Sequence, residues 1–277
     1  MLAALPKYLK IYRVSLTERL VYRADFFLGT LLRFLPTITT ILLWEAIYAG
    51  SGKDKLGGFT REEMIAYLLL VHVSRMFSSM PGLAYGIAHD IRDGSLKKYL
   101  LQPIDMIAYL VSYRGAHKTA YIATTALPYG LLFFLFREYF PPFPDALTLD
   151  GALTLAGYVA SLLLAFVIGF FFEASLGMMG FWFLEVSSLL YIVGAVNFFV
   201  SGQMLPPDFL PQPWAGVLKA LPFKYLAYFP ATIYLGKVQG WDLVYGLLGE
   251  LAWAAFFIVL ARLLYRWGLR RYSAYGG

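Results

Sequence analysis

Cysteine is absent from this chain, so disulfides, thiol nucleophiles and thiolate metal sites are excluded. Charge is scarce. Only 14% of the 277 residues are Asp, Glu, Lys or Arg, against roughly 25% in a soluble domain. No stretch is long and polar enough to form a separate soluble domain. The motifs that carry common chemistries are also missing. There is no G-x-x-x-x-G-K-[ST], which excludes nucleotide binding by a P-loop. There is no H-E-x-x-H and no G-x-S-x-G, and only 3 histidines. The first 22 residues hold Lys7, Lys10, Arg13 and Arg19 and no uninterrupted apolar core, so no cleavable signal peptide is expected. No internal repeat is visible, which argues against an inverted-repeat transporter.

What the chain has instead is apolar and aromatic. It is 60% hydrophobic and 18% aromatic, with mean hydropathy +0.64. These values describe an all-α integral membrane protein, a single membrane domain over residues 1–277. The net charge of +6 does not point to nucleic acid, because Lys and Arg are spread over loop ends; positive charge at cytoplasmic loop ends explains it better.

Six transmembrane helices are expected, each needing about 20 apolar residues. Before them, residues 5–22 read as an interfacial helix, with Leu5, Leu9, Tyr12, Leu16 and Leu20 on one face. The first span runs from Phe26 to Ala49. It carries Arg33, Thr37, Thr40 and Trp44 on one face, which should meet protein or a cavity rather than lipid. The second runs from Met64 to Ala88, with His72 and Arg75 three apart, Pro81 near its end, and Ser78, Gly82 and Gly86 as a small-residue packing stripe. The third lies within Met106–Phe136, a helix too long for the bilayer core. Its Arg114, His117 and Lys118 are expected at the inner headgroups. The fourth runs from Gly151 to Phe172 and the fifth from Val186 to Gly202. Glu173 and Glu185 flank their connection, and Phe181-Trp182-Phe183 reads as an interfacial aromatic belt. The sixth runs from Trp241 to Trp267 and contains Glu250. Residues 203–240 hold six prolines among apolar residues, and read as a re-entrant external segment of short broken helices. The distribution of Lys and Arg places both termini on the cytoplasmic side of a plasma (inner) membrane.

Between spans two and three lies a charged island, residues 89–103. Asp93-Gly94 is a turn signal, Ser95 a candidate N-cap and Pro103 a stop. About two helical turns fit between them, with Leu96, Tyr99 and Leu100 beside Lys97 and Lys98. A short amphipathic helix outside the membrane suits docking to a soluble partner; an ordinary solvated turn fits the same residues.

The intramembrane groups Arg33, Thr37, Thr40, Trp44, His72, Arg75, Asn197 and Glu250 are candidates to line a pathway. Two readings are open. One is a transporter subunit worked through the loop. The other is a polytopic membrane enzyme or channel that uses intramembrane Arg, His and Glu, although these define no catalytic pair and no metal ligand set.

The loop pattern resembles a known family. Ile87, Ala88, Asp90, Ile91, Arg92, Gly94, Ser95, Leu96, Tyr99, Leu100, Leu101, Pro103, Ile104 and Asp105 match the loop of permease subunits of ABC exporters of the second type. A second likeness lies in Phe199-Val200-Ser201-Gly202-Gln203-Met204-Leu205-Pro206, with Leu221-Pro222-Phe223 and Tyr228-Phe229-Pro230 after it. Gln102 stands where the family pattern has Arg, which puts one ATPase contact in doubt. The resemblance implies that Asp90, Arg92, Asp93, Gly94, Ser95, Leu96, Lys97, Lys98, Tyr99 and Leu100 form a coupling helix seated on a separate ABC ATPase. It further implies a homo- or heterodimer of permeases, with ATP and Mg on the ATPase, no catalysis and no cofactor in this chain, and half of an export pathway here.

Overall fold

The computed structural model describes residues 5–21, 23–141, 148–183 and 185–272. It is built of eleven α-helices and one small hairpin among the described residues. Helix α1 (Leu5–Val21) precedes α2 (Arg23–Ser51), and strands β1 (Lys55–Leu56) and β2 (Phe59–Thr60) pair antiparallel. Next come α3 (Arg61–Ser78), α4 (Leu83–Arg92), the one-turn α5 (Lys97–Leu100) and α6 (Met106–Leu135). The second half holds α7 (Leu149–Met178), α8 (Ser187–Val200), α9 (Trp214–Ala220), α10 (Tyr228–Tyr234) and α11 (Gly240–Arg271).

Among the described residues, three helical units are long and apolar enough to cross a membrane: Arg61–Arg92, Leu149–Phe181 and Gly240–Arg271. Helices α2 and α6, 29 and 30 residues long, stand beside them. The expected fifth span is shorter than its sequence suggested. Helix α8 has 14 residues, about 21 Å at ~1.5 Å per residue, against a hydrocarbon core of roughly 30 Å.

Helix α7 is the central post, and α3, α4, α10 and α11 all pack against it. Glycines permit the closest approaches. A Cβ at Gly169 would lie 1.9 Å from the Ser78 carbonyl oxygen, and one at Gly177 would lie 2.6 Å from that of Ala84. Of the stripe expected on the second span, Ser78 is buried at this contact, whereas Gly82 and Gly86 face open space. The glycines at the closest approaches are on α7, the partner helix.

The second span is also broken. Helix α3 ends at Ser78, with Ser79 extended, and α4 begins after Gly82, whose φ is 72°. Pro81 cannot donate a backbone hydrogen bond, and the residue before a proline avoids helical geometry. The break is held by other elements. Lys118 on α6 donates to the carbonyls of Met76, at 2.6 Å, and Ser79. Arg114, one turn earlier, donates to Pro81 O at 3.0 Å. Ser78 Oγ donates to Leu226 O at 2.7 Å, tying the break to the proline-rich segment. Lys118 is therefore buried within the protein.

The N-terminus of α3 carries a reciprocal cap: Thr60 Oγ1 accepts from Glu63 N, and Thr60 N donates to Glu63 Oε2. Between α8 and α11 the chain forms only short helical pieces, with 3₁₀ turns at Pro207–Phe209 and Pro222–Leu226. Tyr225, Leu226, Tyr228, Phe229 and Ile233 are nonetheless buried. Tyr225 and Phe229 press on Gly249 and Gly246 of α11.

Two apolar cores result. One gathers Trp44, Tyr67, Leu69, Ile168, Phe229 and Phe257; the other gathers Ile87, Ile91, Leu96, Tyr99, Met106, Phe170 and Phe181 beneath the charged loop. Phe181 packs on Gly268 and against Tyr272, so it belongs to a core and not to a lipid belt; Phe183 is exposed. Glu173 is not at a connection, because α7 continues past it to Met178.

Candidate functional site

Residues 89–105 form a tied cassette. Helix α4 ends at Arg92 with Asp93 as its C-cap, and Gly94 turns the chain with φ 79°, a conformation that glycine adopts without a Cβ penalty. The Asp93 carboxylate accepts from Ser95 N at 3.0 Å and Ser95 Oγ at 2.8 Å. These bonds hold its pKa below the ordinary carboxylate value. Ser95 is thus not a helix N-cap: its hydroxyl bonds Asp93, and the residue before α5 is Leu96, with no side-chain cap. The amphipathic helix is one turn rather than two. Leu96 N donates to Asp90 O at 2.8 Å, and the Asp90 carboxylate pairs with Lys98 at 2.8 Å. Burial lowers the Lys98 ammonium's pKa, but the bond to Asp90 and the nearby charges outweigh it and hold it above its usual value.

The apolar residues divide between two faces. Leu96 is fully buried in the chain's own core, so it offers no surface to a partner. Tyr99 is buried too, its ring tilted against that of Tyr109 with centroids 5.4 Å apart, and burial pushes its phenol up to about 12. Leu100 and Leu101 are exposed, the latter at 83%, with Lys97, Lys98, Gln102 and Pro103 around them, also exposed. The outward face is thus a leucine pair flanked by two lysines.

Four other elements fix the cassette. Arg92 pairs with Glu185 ahead of α8 at 3.4 Å. Lys7 of α1 donates to Pro103 O, and Asp105 N donates to Tyr8 OH at 2.9 Å. Asp105 caps α6 by accepting from Ala108 N at 2.8 Å, and its other oxygen pairs with Arg262 of α11 at 2.6 Å. These contacts join the loop to α1, α6 and α11.

The intramembrane candidates do not converge. The side chain of Arg33 lies outside the described residues. Thr37 Oγ1 lies 3.1 Å from His72 Nδ1, with Tyr129 and Phe34 beside the imidazole. Thr40 bonds its own helix at Pro36 O. Trp44 is buried against Phe209, 5.1 Å between rings. Thr37 and Trp44 of α2 thus meet other parts of the protein. Arg75 bonds Ser78 Oγ at 3.1 Å and lies within electrostatic reach of Glu173. Asn197 and Glu250 are buried on separate helices; Asn197 Oδ1 has no hydrogen-bond partner among the described residues, and Glu250 lies beside Ser161 of α7. Sequence reasoning put Lys118 at the headgroups and Glu173 at a connection, and gave Lys224 no role. A charge inside a long apolar helix was the available signal for the first two.

A family model described as ABC-2 family transporter protein matches residues 34–276. The chain belongs to the ABC-2 transporter family. It is therefore a multi-pass membrane protein and a permease component of a transporter. No curated protein matches it.

Proposed function

We propose that this ABC-2 family chain is the permease of an ATP-driven exporter, moved by a separate ABC ATPase that holds ATP and Mg. In this reading it has six spans, both termini are cytoplasmic, a second permease completes the pathway, and the cargo is amphipathic. The observation that carries the reading is the loop cassette. Its outward face presents Leu100 and Leu101 beside Lys97 and Lys98, while its other side is tied to α1, α6 and α11. A push on the leucines would be delivered to three helices at once. The enzyme or channel reading draws no support from His72, Arg75 and Glu250, which occupy three separate environments.

The test is Leu101→Asp in the full chain. Burial of a leucine contributes about 1.5–3 kcal/mol, so its loss should weaken capture of the ATPase more than tenfold. The chain's own thermal stability should be unchanged, because Leu101 touches little of its own fold. Wild-type ATPase capture by the variant would remove the loop from the coupling role.

A further inference from the structure

At the end of the bundle away from the loop, a cavity of about 510 Å³ opens between the β1–β2 hairpin, the 222–226 turn and the first turns of α10 and α11. Lys219, Lys224 and Lys237 all line it. Two of them are engaged. Lys219 pairs with Asp208, whose second oxygen accepts from Tyr228 OH at 2.7 Å. Lys237 pairs with Glu63 at 2.9 Å and donates to Gly58 O at 3.1 Å.

Lys224 differs. It is half-buried, with its ammonium 4.8 Å from the Tyr225 ring centroid, and it forms no ion pair among the described residues. The like charge of Lys219 acts on it. Glu250 is within electrostatic reach but makes no ion pair with it among the described residues. Of the two acids in the lining, Asp208 is engaged by Lys219 and Tyr228, and Asp242 is exposed at the start of α11, where water screens it. A half-buried ammonium without an anion is unfavourable, and the space in front of it is open.

We propose that this cavity binds a phosphate group, with Lys224 as the principal contact. Lysine is a common phosphate binder acting as a point charge, and a phosphate has enough oxygens to accept from several ammoniums at once. Lys219 and Lys237 supply further N–H donors. Tyr225, Phe229, Val238 and Tyr245 form an aromatic and apolar wall for whatever carries the phosphate. A lipid headgroup and a soluble phosphate both supply this chemistry. The proposal stands independently of export.

The experiment uses the full chain purified in a non-ionic detergent and phosphate-free buffer. The probes are dioctanoyl phosphatidate, inorganic phosphate and dioctanoylglycerol. Acetylation of Lys224 by an amine-reactive ester is followed by mass spectrometry, and binding by calorimetry. Phosphatidate or inorganic phosphate should slow acetylation of Lys224. Lys224→Gln should weaken that binding about tenfold or more, while Lys224→Arg retains it. Protection by phosphatidate alone makes the ligand a lipid headgroup; equal protection by inorganic phosphate makes it a soluble phosphate; both outcomes support the site. Equal protection by dioctanoylglycerol, or none by either phosphate, overturns it. Should Lys224→Gln fail to fold, the footprint on the unaltered chain decides.

Discussion

At the scale of single residues, volume decides more than polarity. Gly169 sits where α7 meets the last carbonyl of α3, so a methyl group there must displace backbone. Overpacking of this kind costs about 1–3 kcal/mol or more. Gly169→Ala should lower the unfolding temperature of the detergent-solubilised chain, whereas Gly86→Ala, which faces open space, should leave it unchanged or raise it slightly. Equal melting of the two variants would contradict the packing described. Leu96 makes the same point from the other side. Leu96→Ala should cost about 2–5 kcal/mol, visible as loss of folded protein by size-exclusion chromatography, while Leu101→Ala should be silent in that assay. The sequence showed that both leucines border a short charged helix. It did not show which faced inward, because a helix of one turn has no periodicity to read, and the burying core comes from Ile87, Met106 and Phe170 on three other helices.

At the scale of elements, the informative feature is the broken second span. Pro81 and Gly82 were visible in the sequence, yet the hydropathy ran through them, and a continuous span was the natural reading. The break persists because its free carbonyls are satisfied from α6, and an unsatisfied carbonyl in a bilayer costs several kcal/mol. Lys118 provides two of those bonds. Lys118→Met keeps the length and apolar stem but removes the donors, and hydrogen bonds to a charged group contribute about 1.5–3 kcal/mol. The variant should melt earlier, and hydrogen exchange at residues 79–83 should accelerate before exchange elsewhere. Unchanged exchange there would mean the break does not depend on α6. Residues 203–240 were easier to read, since prolines interrupt every apolar run and the structure has only short helical pieces there before α11. Their tight seating could not be read, because it depends on Gly246 and Gly249 of a helix that follows them in the chain.

At the scale of the whole molecule, the arrangement of charge and anchoring has a direction. One end carries the hairpin with Lys53, Lys55 and Arg61 and the lysine-lined cavity. The other carries Arg92, Lys97 and Lys98, with Arg262, Arg266, Arg270 and Arg271 along the last turns of α11 and α1 laid against α6. Two devices keep the ends distinct: Lys237 clasps Glu63 and Gly58 at the first, and Arg262 clasps Asp105 at the second. Basic residues concentrate on the cytoplasmic side of membrane proteins, so the loop end should be inside. The absence of cysteine makes this directly measurable. Ser51→Cys and Leu101→Cys alter exposed positions at opposite ends, and neither removes a core side chain. In intact cells a membrane-impermeant maleimide should label position 51 and spare position 101, which should react only after permeabilisation. The reverse pattern would place the loop outside, beyond reach of a cytoplasmic ATPase. Labelling of both in intact cells would mean that the broken span Arg61–Arg92 does not cross, since it alone joins the hairpin to the loop.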